Sequence, residues 1–98
     1  MKGGASLKKI IVDGKAITSM DELHNTLHLQ FGFPDYYGRN LDALWDMLTG
    51  GIELPVTIEW QSYATSSERL GEEGQRLLEL LREAEQELEG GLTVIVHE

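Results

Sequence analysis

The chain is 98 residues long, has no cysteine, and carries 8 Lys and Arg against 17 Asp and Glu, a formal net charge of −9. That length makes one small domain able to bury roughly 60–65% of its unfolded surface, and a 41% hydrophobic fraction supplies one core and excludes intrinsic disorder. No apolar run reaches the ~20 residues of a membrane span, Met1–Ser6 has no apolar signal region, the lack of Cys removes disulfides and thiolate metal sites, and a pI near 4.7 argues against direct contact with nucleic acid.

Met1–Ser6, with two glycines and no aliphatic cluster, reads as a flexible leader to a single domain over residues 7–98. Leu7 to Val12 is a short, partly β-branched strand closed by the turn pair Asp13-Gly14. Ser19 followed by Glu22 forms a capping box that opens a helix running to Phe31. Its core face is Leu23, Leu27 and Phe31, and Gly32 with Pro34 stops it. Asn40 caps a second helix, Leu41 to about Thr49, ended by Gly50-Gly51. A second strand follows Pro55, from Val56 to Trp60, and a short helix covers Ser62 to about Arg69. Gln75 to about Leu88 is an amphipathic helix, with Leu77, Leu78, Leu81, Ala84 and Leu88 at helical spacing. A third strand, Leu92 to Val96, ends the chain. Strands joined by helix-containing connections pair in parallel, so the fold class is α/β, a three-stranded parallel sheet packed with about four helices. Strand order does not follow from this pattern.

Charge is unevenly spread. Residues 1–34 hold 4 bases and 3 acids, whereas residues 35–98 hold 4 bases and 14 acids. A cationic partner is therefore to be sought by the second helix and the elements after it. On that helix the core stripe is Leu41, Leu44, Leu48 and part of Trp45, which leaves Asp42 and Asp46 together on one polar face. Like charges four apart cost roughly 0.2–0.5 kcal/mol, and Asp46 lies towards the negative end of the helix dipole. Stability alone would select Glu, Lys or Ala there. The plain reading of the pair is a solvated acidic face. Tyr36 and Tyr37 directly before the helix suggest an interface patch instead, because aromatic residues dominate interface energetics. One of the two tyrosines is expected in the core, and Gly38 and Gly50 also serve as turn and helix C-cap residues.

The string Asp35-Tyr-Tyr-Gly-Arg-Asn-Leu-Asp-Ala-Leu-Trp-Asp46, followed by Leu48-Thr-Gly50, closely resembles the barstar family of ribonuclease inhibitors. Lys8–Gly14, Asp21–His24, Pro55 through Trp60 and Arg82–Ala84 extend the similarity over about residues 8–97. The resemblance implies a cytoplasmic inhibitor of a small, basic, secreted ribonuclease. It would be monomeric when free, would protect the producing cell, and would need no cofactor. It also implies that the second helix and the loop before it plug the enzyme's active site. Asp46 would take the place of the scissile phosphate. Asp42 and Thr49 would add polar contacts, and Tyr36 would stack near the catalytic histidine. Tyr37, Gly38, Asn40, Trp45 and Gly50 match interface or interface-shaping positions, and Glu83 matches an acidic contact from the last helix. Two positions depart from the family's best-known member: Arg39 stands where that member carries an acid, and Gly51 where it has a Trp. Both are expected at the rim of the patch, where Arg39 would repel a basic partner.

Other readings are weaker. Asp42 and Asp46 as an acid–base pair would need an enclosing cleft that shifts one pKa, which one short exposed helix does not provide. No Gly-rich phosphate loop or nucleophile elbow is present. His24 and His28 are four apart, but a zinc site needs further ligands and the Glu that follows the first His in zincins is missing. They are expected on the helix surface, one of them half-buried. The second functional alternative is an acidic docking module for a basic protein that is not a ribonuclease.

Overall fold

A computed structural model of the chain describes residues 8–98. The expected leader, and Leu7 as the first strand residue, lie outside the described residues. The order of elements is β1 (Lys8–Asp13), α1 (Met20–Phe31), α2 (Leu41–Thr49), β2 (Val56–Gln61), α3 (Tyr63–Leu70), α4 (Glu72–Glu87) and β3 (Leu92–Val96). The three strands form one parallel sheet in the order β1-β2-β3, with Ile10 opposite Ile58 and Ile58 opposite Val94. The α/β class, the parallel sheet and the four helices agree with the sequence reading.

Parallel strands are usually apolar throughout because helices cover both faces. Here they alternate. Ile10, Val12, Val56, Ile58, Trp60, Leu92 and Val94 are buried on one face with Leu23, Leu27, Leu44, Leu48, Leu77 and Leu81 from the helices. Lys9, Thr57, Glu59, Thr93 and Ile95 occupy the other face and are half-buried or exposed. Lys9 pairs with Glu59 across two strands at 3.2 Å, and hydrogen bonding to Lys9 holds the Glu59 carboxyl below its ordinary pKa.

An open sheet edge invites pairing with another chain. On each edge here, helix side chains pair with the backbone of one residue. The Gln30 amide accepts from the Ile11 N–H at 2.7 Å and donates to the Ile11 carbonyl. On β3, Glu85 accepts from the Val94 N–H and Arg82 donates to the Val94 carbonyl, each at 2.8 Å, while Arg82 and Glu85 pair with each other at 3.3 Å.

Local signals explain most boundaries. Ser19 Oγ accepts from the Glu22 N–H at 3.2 Å, and the Glu22 carboxylate reaches back to the Thr18 N–H at 2.7 Å, one residue earlier than a standard capping box. Gly32, with φ of 75°, ends α1 in the left-handed conformation. The last helix begins at Glu72 rather than Gln75. Gly74 is not a breaker there: a Cβ on it would come within 2.6 Å of the Leu70 Cβ, so glycine permits the close approach of α3 and α4. Trp60 is fully buried, and its indole N–H is satisfied by Ser66 Oγ at 2.9 Å.

Candidate functional site

Adjacent tyrosines leave the loop between α1 and α2 in opposite directions. Phe33 stacks on Phe31 with ring centroids 5.1 Å apart, and Tyr37 packs on Phe33 at 4.9 Å. The Tyr37 N–H closes a turn onto the Pro34 carbonyl at 3.0 Å. Tyr37 is thus only 5% exposed, whereas Tyr36 is 80% exposed. The Tyr37 hydroxyl lies 2.6 Å from Nδ1 of His24, which is itself 3% exposed on the inner side of α1. Burial lowers the His24 pKa and raises that of Tyr37 to about 12, so the bond joins two neutral groups.

Asn40 begins α2 by accepting from the Ala43 N–H at 2.8 Å. Leu44 and Leu48 fix the helix to the core, Leu41 and Trp45 are half-buried, and Asp42 and Asp46 project into solvent. Neither aspartate forms an ion pair with a described residue. Thr49 spends its hydroxyl proton on the Trp45 carbonyl at 2.8 Å, leaving its oxygen as an acceptor. At the helix end a Cβ on Gly50 would sit 2.5 Å from the Asp46 carbonyl oxygen, so the backbone of the last turn requires glycine there. Gly51 has φ of 138°, a conformation that side-chain-bearing residues rarely adopt.

These features converge on one surface depression of about 360 Å³, where Tyr36, Asp46, Gly50 and Gly51 meet Lys8 and Glu53. Asp42 lies one turn before Asp46, outside that lining. Glu83 is exposed on α4, the helix that packs against α2, and also lies outside it. Three members of the expected patch have structural roles, Tyr37 buried and Gly38 and Asn40 exposed. Tyr37 is in the core and cannot offer its ring. Asn40 is committed to the cap. Gly38 lets the loop pack: a Cβ there would meet Ala43 Cβ and Asn40 Nδ2, each at 3.3 Å.

Arg39 is exposed and turns toward α1. Its backbone is left-handed (φ 52°), and its guanidinium donates to Asn25 Oδ1 on α1 at 2.9 Å. It faces the acids of α1 and not Asp46. The two histidines differ: His24 is buried against Tyr37, while His28 packs edge-on to the same ring at 5.6 Å. Among the described residues there is no group of three or more His, Cys, Asp or Glu able to hold a metal ion. Lys8, a lining residue absent from the sequence reading, sits 3.9 Å from the Glu53 carboxylate.

The arrangement presents a carboxylate on a rigid helix beside an exposed phenol ring. Such a pair can enter a cationic pocket and hydrogen-bond to guanidinium or imidazolium groups. Asp42 and Asp46, both exposed, do not form an acid–base site.

The family model for barstar (barnase inhibitor) matches residues 7–97. A protein of Bacillus subtilis (strain 168) named "Putative ribonuclease inhibitor YrdF" is 42% identical over 90 residues, which is 92% of this chain and 99% of that protein. The match spans both sheet edges, the loop and α2, so the chain belongs to the barstar family, whose members are inhibitor proteins and not enzymes.

Proposed function

We propose that this chain inhibits a small, basic, barnase-like ribonuclease by seating α2 and the 35–39 loop in the enzyme's active site. The observation that carries the reading is the meeting of Tyr36, Asp46 and Gly50 at one depression, with the Asp46 carboxylate exposed and unpaired among the described residues. A ribonuclease site is a cationic pocket shaped for phosphate, and a carboxylate there trades its hydration for several charge-assisted bonds. Asp42 and Glu83 supply flanking negative charge, and the acidity of residues 35–98 steers the encounter. Inside the producing cell the inhibitor would protect RNA from the enzyme before export.

A titration of barnase with the chain, reading residual RNA cleavage, tests this. Stoichiometric loss of cleavage is expected. Tight binding to basic proteins without loss of cleavage would favour a general acidic docking module.

A further inference from the structure

Position 39 carries a cation, and the structure turns that cation back onto the molecule. The Arg39 guanidinium bonds to Asn25, and the preceding residue of α1, His24, bonds to Tyr37. Two consecutive residues of one helix therefore hold loop residues 37 and 39, the first below the surface and the second on it. Tyr36, 80% exposed, directly precedes the first anchor, and Asn40, the cap of α2, directly follows the second. A left-handed backbone at a residue other than glycine, asparagine or aspartate is uncommon, so something must hold Arg39 in that conformation.

We propose that Arg39 is a positioning residue for partner binding: its bond to Asn25, together with the His24–Tyr37 bond, clips the 35–39 loop to α1 and fixes Tyr36 relative to Asp46. The inference rests on the reading that Tyr36 and Asp46 contact a ribonuclease. The guanidinium of Arg39 is exposed and turned toward α1. It shares one surface hollow with Asp21, Glu22 and Asn25, and a second, of about 290 Å³, with Asp21, His24, Glu73 and Arg76. It is absent from the lining that holds Asp46. On this proposal, position 39 acts on the partner through the loop.

The test combines two measurements on the full chain: exchange of the Tyr37 amide, which is bonded to the Pro34 carbonyl in the turn, and the dissociation rate from barnase. Asn25→Ala removes the acceptor without changing charge. It should accelerate both by roughly threefold to tenfold, the net worth of one hydrogen bond. Asn25→Asp, which keeps the acceptor, should return both to parental values or slower. Arg39→Ala should match Asn25→Ala, and the double variant should be no worse than either single one. Unchanged exchange and dissociation in folded Asn25→Ala, or additive effects in the double variant, would overturn the clip. If the parent does not bind barnase, the proposed function fails, and amide exchange in the free chain alone decides: acceleration in Asn25→Ala supports the clip and its absence refutes it.

Discussion

The Tyr37 hydroxyl meets Nδ1 of His24 at 2.6 Å inside the core, and this bond ties the loop before α2 to α1. The pair explains why adjacent tyrosines have opposite fates. Tyr37 is drawn inward by a polar partner and by Phe33, and Tyr36, in the turn before it, is left exposed.

Because burial depresses the His24 pKa below its ordinary value of 6.5, the unfolded chain binds a proton more readily than the folded one. The stability supplied by neutral His24 is complete above pH 6.5. It falls with pH from there until the folded-state value is passed, with a slope of at most about 1.4 kcal/mol per pH unit. Tyr37 acts at the other end: its pKa is raised from 10.0 to about 12, so stability is lost as pH climbs through that window. Denaturant melts of the parent and His24→Gln across pH 5–8, a range set about the ordinary histidine pKa, should show a flatter acid limb for the variant.

Two glutamates on α4 should separate structure from binding. Glu85 accepts the outward N–H of Val94 at 2.8 Å, and Val94 is buried. Glu85→Ala leaves that donor without its acceptor and should cost about 1–3 kcal/mol of stability. Glu83 makes no such bond among the described residues, is exposed, and should be neutral to folding on replacement by Ala while raising the dissociation rate of the complex. Urea melts and stopped-flow kinetics on the two variants check the split.

The end of α2 should tolerate no side chain. Gly50→Ala forces a Cβ to within 2.5 Å of the Asp46 carbonyl, and Gly51→Ala must adopt φ of 138°. Each should cost about 1–3 kcal/mol, through overpacking in the first case and backbone strain in the second. Thermal melts measure this. The same strain means that placing a Trp at position 51 would disturb folding before it could add contact area.

Much of the fold was legible in local patterns. Ser19 with Glu22, Asn40, Gly32, and the Leu44/Leu48 stripe each placed a boundary or a buried face, because caps and periodicity act within one or two turns. The start of α4 was not, since the leucine spacing begins only at Leu77 and the packing of Gly74 on Leu70 is a contact between helices. His24 was expected at the helix surface or half-buried, because its partner lies thirteen residues away, a distance no periodicity spans. The direction of Arg39 depends on the sign of one φ angle, which the residue type does not reveal. Asp42 and Asp46 were legible as an exposed acidic pair from spacing alone, whereas the role of each came from the family resemblance.

The central claim is that Asp46 enters the partner's cationic site. Titration calorimetry of parent and Asp46→Ala against barnase tests it most directly. Removing one member of a desolvated charge pair should weaken the complex by about 3–5 kcal/mol, with the melting temperature unchanged or slightly raised because Asp is unfavourable near a helix C-terminus. An Asp46→Ala variant that binds as tightly as the parent would contradict the account.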